Sequence, residues 1–327
     1  MVGGVGQVVE RSASKAPHVV RDPCTPDGKP HGRPPRIASY ATWHGFALLE
    51  ITGGEGAWVI VVRALVLAGA RSRKSLVELS QSRVKAAIRL YGRPLIEYVL
   101  EALLAAEEVE DVTVAGAPDL VSLGSAMKRA VRWVPGGASM AQSLEAGLKA
   151  MGPRGPVLVT ACDLPLVTPE AVDDFVRAAL RTEGEVVYPL VRRRAVAAVA
   201  PGAPKRCLVA REGVFAAGNA ALLRRELSSR AYALLERAHR WRKDPWTLGA
   251  LLGWDALVKL GVGRMSLAEL EARVRARSGV DVRVLPVEHG GLGFDLDSPR
   301  DFAVALRALG SRLGRTGAPV GATLAGR

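Results

Sequence analysis

Apolar positions along this chain follow two alternating periods. From Trp58 onward, short β-branched runs predict strands at 61–68, 111–116, 130–134, 157–159, 186–190, 206–210 and 282–287. Between them apolar residues recur at helical spacing. Leu95, Val99, Leu103 and Leu104 share one face of a predicted helix over 94–106. Further helices are predicted over 139–151, 169–180 and 266–277, with a last one ending near Leu309. Ser266 with Glu269 three residues on is a capping box, and Ser298-Pro299 opens the last helix. Residues 220–260 read as mainly helical and hold Trp241, Trp246 and Trp254. Alternating strands and helices predict an α/β fold, a mostly parallel sheet covered by helices.

Outside this pattern lie two ends. Residues 1–58 are rich in Pro and Gly (TPDGKPHGRPP) and show no sustained period. They read as a disordered leader, or as a frame opened upstream of the true start. The tail 311–327 is rich in Gly, Ala and Arg and reads as flexible. The domain is expected over 59–310, with a helical insertion at about 220–278.

Composition narrows the class. The chain has 327 residues, 49% hydrophobic and 24% charged, enough for one large domain or two modest ones. No apolar run reaches the length of a membrane span, and the start is not a secretory signal. Three scattered cysteines, Cys24, Cys162 and Cys207, suit a reducing, cytoplasmic setting. The net charge of +13 suits nucleic acid, an anionic membrane or phosphorylated substrates. With 5% aromatic residues and no nucleic-acid module, nucleic acid is not expected. Docking of the tryptophan-bearing region on an anionic membrane ranks below a core role for those tryptophans.

The stretch 156–169, PVLVTACDLPLVTP, is the centre of the candidate chemistry. A short buried strand stops at Asp163, and Thr168-Pro169 then starts a helix. Asp163 thus stands at the carboxyl end of a strand, where open α/β sheets bind ligands. A carboxylate there either holds a hard cation such as Mg²⁺ or caps a loop. Gly69 follows the first strand directly, with Arg71, Arg73 and Lys74 in the same loop: a phosphate site or an exposed basic turn. Lys85 is either a phosphate contact or a surface lysine. Gly136-Gly137, followed by Gln142 and Ser143, either admits a base or forms an ordinary turn. Asp297 precedes a helix, either as a ligand or as a dipole partner. Two carboxylates, Asp163 and Asp297, converging without a cation would repel. No His falls in these stretches, so chemistry without imidazole is favoured. Transfer to an already ionised phosphate needs no general base.

Five pieces in order carry a family resemblance: ALVLAGARSRK (64–74), KAAIRLYGRPLIEYVLEAL (85–103), VPGGASMAQSLEAGL (134–148), VLVTACDLPLVTPEAVDDF (157–175) and GFDLDSPRDF (293–302). They resemble the MobA-like NTP transferases, which include molybdenum cofactor guanylyltransferase and methylerythritol phosphate cytidylyltransferase. The resemblance implies a three-layer α/β/α, Rossmann-like (GT-A-like) fold. It implies transfer of a nucleoside monophosphate from an NTP to a small, usually phosphorylated acceptor, with release of pyrophosphate. Carried over, Leu67, Ala68, Gly69, Arg71 and Arg73 would line the nucleotide. Lys85 would meet its phosphates, with Lys85 and Asp163 catalytic. Gly136, Gly137 and Ser143 would sit at the base, and Asp163 and Asp297 would hold Mg²⁺. Segment 205–219 resembles the acceptor side of one branch, which makes Lys205 and Asn219 acceptor candidates. Ala70 replaces a usual glycine, and Met140 stands where cytidylyltransferases carry Arg. A glycosyltransferase using nucleotide sugars and a non-catalytic nucleotide-binding module are the alternatives.

Overall fold

The computed structural model describes residues 36–43, 46–52, 58–60, 62–117, 120, 130–152, 155–224, 231–232 and 253–314. The first part holds β1 (Arg36–Trp43), β2 (Phe46–Thr52), β3 (Trp58–Ile60), β4 (Val62–Ala68), α1 (Lys74–Ser80), β5 (Arg89–Leu90), β6 (Arg93–Pro94), α2 (Leu95–Ala105) and β7 (Val109–Gly116). Next come β8 (Val131–Pro135), α3 (Met140–Met151), β9 (Val157–Ala161), α4 (Pro169–Leu180), β10 (Val186–Arg192) and α5 (Arg193–Val199). The chain continues with β11 (Cys207–Ala210), β12 (Gly213–Ala217), β13 (Ala220–Leu223), α6 (Trp254–Gly261), α7 (Leu267–Ser278), β14 (Val282–Val287) and α8 (Pro299–Arg312).

The main sheet has nine strands in the order β11-β12-β10-β13-β9-β4-β7-β8, with β14 paired to β10. Strands β8, β7, β4 and β9 are parallel neighbours. β13 is antiparallel to both β9 and β10, so β10 runs in the same sense as β9. β14 is parallel to β10. The carboxyl ends of β4, β7, β8, β9, β10 and β14 therefore share one edge, which is where the candidate residues cluster.

Strand β4 shows how the sheet separates two layers. Ala64, Val66 and Ala68 join the core under α2, α4 and α8, while Leu65 joins Leu144 and Met151 of α3 on the other face. Each large aliphatic side chain that α2 buries (Leu95, Ile96, Val99, Leu100, Leu103) contributes roughly 1.5–3 kcal/mol before chain entropy is counted. α3 sits close to the sheet because Gly147 has no side chain. A Cβ there would lie 2.4 Å from Leu65 Cδ1. Four of the helix starts are those the sequence predicts. Ser139, Thr168, Ser266 and Ser298 each accept a backbone N–H through their side chains.

Four segments differ from the sequence expectations. Within the stretch read as an irregular leader, β1 and β2 pair with each other and, with β3 just at its end, form a separate antiparallel sheet. Its Ile, Tyr, Trp, Phe and Thr residues favour extended pairing but are too unevenly spaced to show a period. Between the strands predicted at 186–190 and 206–210, where the sequence predicts no helix, Arg192-Arg193-Arg194 opens helix α5, whose RRAVAAV composition favours helix. Ala220–Leu223, expected to be helical, is strand β13, because pairing on both sides overrides the helix preference of Ala and Leu. α8 continues to Arg312, past Leu309. The expectations for residues 1–35 and 315–327, and for Trp241 and Trp246, fall outside the described residues.

Candidate active site

The loop after β4 is tied to the segment that carries Lys85. Lys85 N–H donates to Ala70 O at 3.1 Å, and Ser72 N–H donates to Arg83 O at 2.9 Å. A bridge between Arg71 and Val84 completes the pairing. Lys85 then begins a one-turn 3₁₀ helix, Lys85–Ala87, with its side chain directed inward and buried. Asp163 follows β9, and its carbonyl accepts from Leu296 N–H at 3.1 Å. That bond brings the 293–297 segment against the end of β9. Gly290 and Gly291 permit the approach. A Cβ on Gly290 would lie 2.1 Å from Ala195 O, and one on Gly291 2.2 Å from Leu166 O.

The ammonium of Lys85 lies between two carboxylates, 2.5 Å from Asp163 Oδ2 and 2.5 Å from Asp297 Oδ1. Arg73 stands 3.8 Å from Asp297 Oδ2. The repulsion expected of two unaccompanied carboxylates is thus relieved by the chain's own lysine. Burial works to lower the Lys85 pKa, but Asp163 and Asp297 overcome it and raise it. Burial likewise opposes the charge on Asp297, yet Lys85 and then Arg73 hold this carboxyl down at about 2. Asp163 is pushed up by burial, against the pull of Lys85. Its Oδ1 is buried and has no hydrogen-bond partner among the described residues. Cys162 beside it is also pushed up, first by burial and then by the Asp163 charge.

Asp163, Asp295 and Asp297 each offer an oxygen, all within 4.8 Å of one another. An all-oxygen set with one orphaned buried carboxylate oxygen fits a hard divalent cation such as Mg²⁺.

Gly69, Gly136 and Ser143 converge beside the carboxyl ends of β4 and β7. A Cβ on Gly69 would lie 3.6 Å from Ser143 Oγ, and one on Gly136 3.1 Å from it and 3.3 Å from Gly116 Cα. Ser143 Oγ accepts from Gly137 N–H at 3.0 Å and donates to Ser139 O at 2.9 Å. In this structure it therefore fastens the loop. Gly137 is required by its own helix, since a Cβ would lie 2.2 Å from Gln142 Cβ. Leu67 and Ala68 end β4, while Arg71 and Arg73 are exposed in the loop that follows.

The two acceptor candidates separate. Lys205 reaches into the acid cluster, 2.7 Å from Asp295 Oδ1 and 3.5 Å from Asp301 Oδ1. Asn219 lies behind the end of β9. Its N–H donates to Leu292 O at 3.0 Å, and its carbonyl accepts from Ala161 N–H at 3.0 Å. Two acids assigned no ligand role from sequence, Asp295 and Asp301, belong to the cluster. The signal for Asp295 was present, because positions two apart in an extended segment share a side. Asp301 resembled an ordinary capping acid, and it is one. Its Oδ2 accepts from Ser298 Oγ at 2.8 Å and from Asp297 N–H at 3.2 Å.

Sequence and structure comparisons agree with this architecture. The MobA-like NTP transferase domain matches residues 64–243, more than half of the chain. A hypothetical transferase from Thermus thermophilus superposes with a TM-score of 0.63 at 36% identity, over 74% of this chain and 100% of that one. Two more distant structures have similar coverage. The 2-C-methyl-D-erythritol 4-phosphate cytidylyltransferase of the same species has a TM-score of 0.42 at 19% identity, over 76% of this chain and 98% of that one. A nucleotidyl transferase from Methanothermobacter thermautotroptrophicus has a TM-score of 0.45 at 19% identity, over 79% and 99%. No curated protein matches the sequence. The fold and site define a nucleotidyltransferase. The chain belongs to the MobA-like NTP transferase domain family. Among the described residues, no helix is long and apolar enough to cross a membrane.

Proposed function

We propose that this enzyme moves a nucleoside monophosphate from an NTP to a small phosphorylated acceptor, releasing pyrophosphate in a Mg²⁺-dependent reaction. The observation that carries this reading is the buried Lys85 ammonium between Asp163 and Asp297, beside the loop after β4. An oxygen of the acceptor phosphate forms a bond to the α-phosphorus. The bond from that phosphorus to the α–β bridging oxygen breaks, and pyrophosphate leaves with the electron pair. The attacking oxygen is already ionised, so the reaction needs no His as a general base.

The residues have separable roles in this reading. Asp163 and Asp297 would hold Mg²⁺, which when bound would supply neutralisation of phosphate charge and polarisation of the α-phosphate. Lys85 exchanges its carboxylate partners for the triphosphate and stabilises charge that grows on the leaving group. Arg71 and Arg73, exposed on the loop, add positive charge along the entry of the triphosphate. Leu67, Ala68 and Gly69 line the nucleotide at the end of β4, opposite Gly136 and Gly137. Ser143 shapes that second loop. The transferase unit is the stretch 59–310, and the setting is cytoplasmic. In support of the setting, Cys162 and Cys207 are both free.

The test is a screen of the four NTPs with Mg²⁺ against a panel of sugar, polyol and alcohol phosphates, scored by pyrophosphate release. Pyrophosphate formed with one acceptor, and lost in Asp163→Asn, is the expected result. Release of a nucleoside diphosphate from a nucleotide sugar would replace this reading with glycosyl transfer. Binding of NTP without turnover across the panel would replace it with a nucleotide-binding module.

A further inference from the structure

Lys205 is the second cation of the acid cluster, half-buried, and nothing in the proposed reaction uses it. Its ammonium donates to Asp295 Oδ1 at 2.7 Å and to Asp295 O at 2.5 Å, and stands 3.5 Å from Asp301 Oδ1. It lies 4.8 Å from the centroid of the Phe294 ring. Only 14% of the side chain is exposed, against 11% for Asp295 and 4% for Asp301. An ammonium has three donors, and three oxygens surround this one. Asp295 takes two of them by hydrogen bonds, whereas Asp301 Oδ1 is an ion-pair partner without a hydrogen bond among the described residues.

The four acids of the cluster are therefore divided between two lysines. Lys85 bridges Asp163 and Asp297, and Lys205 bridges Asp295 and Asp301. The division matters because Asp295 has an oxygen within 4.8 Å of those of Asp163 and Asp297. Left without a counter-ion, Asp295 would become a third acid ligand. Two carboxylates balance the charge of a divalent cation, whereas three leave the site negative. Both substrates are anionic, so a negative site would repel them. Asp301 adds a mechanical link. The carboxylate that faces Lys205 through Oδ1 accepts the Asp297 N–H through Oδ2.

We infer that Lys205 is a positioning residue. It holds Asp295 and Asp301 as a fixed counter-ion, keeps Asp295 out of the cation's ligand set, and so limits the site to Asp163 and Asp297. The inference rests on the metal role proposed above for those two residues.

The experiment measures Mn²⁺ binding to the full chain without nucleotide, following free Mn²⁺ by electron paramagnetic resonance. Lys205→Met should bind Mn²⁺ tighter by on the order of tenfold, because Asp295 is released as a ligand. Lys205→Met/Asp295→Asn should lose that gain. Lys205→Arg and Asp295→Asn alone should bind as wild type does. A merely structural lysine would not produce a gain that depends on Asp295. Unchanged affinity in Lys205→Met, or a gain that survives in the double variant, overturns the inference. Should Lys205→Met fail to fold, Asp295→Asn still decides, because a loss of affinity there would make Asp295 a ligand in the wild type. Asp163→Asn separates the two readings. Mn²⁺ binding that this change leaves intact, or no binding to wild type at all, would sink the metal site and the inference with it.

Discussion

Replacing Lys85 by Met isolates what its charge does. Methionine keeps much of the aliphatic stem and removes the ammonium, so Asp163 and Asp297 face each other without a cation. Asp163 bears most of the cost, because its side chain is only 8% exposed, against 35% for Asp297. Breaking a buried pair from one side costs about 3–5 kcal/mol. The Asp297 arm is screened by solvent and needs discounting. Burial also favours the protonated form of Asp163, which gives this group a partial escape. The lower end, about 3 kcal/mol, is therefore expected. At about 2–4 °C per kcal/mol for a domain of this size, the melting temperature should fall by roughly 6–12 °C. The assay is thermal unfolding of wild type and variant near neutral pH, first with chelator and then with millimolar Mg²⁺. Mg²⁺ should stabilise Lys85→Met more than wild type, because in wild type it must first displace the ammonium. The same variant should lose about 10²-fold or more in kcat/KM, the loss of one preorganised charge contact. Equal melting temperatures in chelator, or equal stabilisation of both proteins by Mg²⁺, would refute the reasoning.

Three further outcomes can be checked with the same assays. Asp163→Asn and Asp297→Asn should each abolish Mg²⁺-dependent turnover, while metal-free melting shifts little, because Lys85 keeps one carboxylate in either case. Full activity in Asp297→Asn would reduce this residue to a helix-end acid. Asp173→Ala, remote in role, should cost about 1–3 kcal/mol, because the carboxylate accepts the N–H groups of Glu107 and Glu108. Turnover by Asp173→Ala measured well below its melting temperature should match wild type. Deleting residues 1–58 should leave the melting temperature of the main sheet unchanged, since among the described residues β1, β2 and β3 pair only with one another. A clear drop would mean that they brace the transferase unit.

The parts of this molecule that were legible in sequence are those decided locally. Ser139, Thr168, Ser266 and Ser298 cap helices through contacts a few residues long, and each was readable. The carboxyl-end position of Asp163 was readable because a strand, an acid and a proline-marked helix follow within one short stretch. What was not legible depends on distant partners. Ala220–Leu223 has the composition of a helix, and only β9 and β10 on its flanks make it a strand.

The charges of the site show the same limit more sharply. Lys85 and Lys205 are both cations in loops beside short apolar runs. The residues alone leave Lys85 as a phosphate contact or a surface lysine, and only the family resemblance assigns Lys85 to the triphosphate and Lys205 to the acceptor. In the folded chain both face carboxylates, Lys85 across 78 and 212 residues and Lys205 across 90. Attraction between charges has no sequence period, so no pattern marks which acid will meet which lysine. The fold decides it, through the Leu296 N–H bond to Asp163 O and the glycines that let the 290–293 turn approach. The consequence for function is a difference in exchangeability. Lys85 bridges one deeply buried and one partly exposed acid, and exposed Arg73 stands next to the latter. An incoming triphosphate can compete for this lysine from the solvent side. Lys205 is held by two acids, each less than one-eighth exposed, and by a backbone carbonyl. Releasing it would leave those acids buried and unpaired, a cost of several kcal/mol. Of the two lysines, then, the one suited to leave its partners during a reaction is Lys85, and the one suited to stay is Lys205.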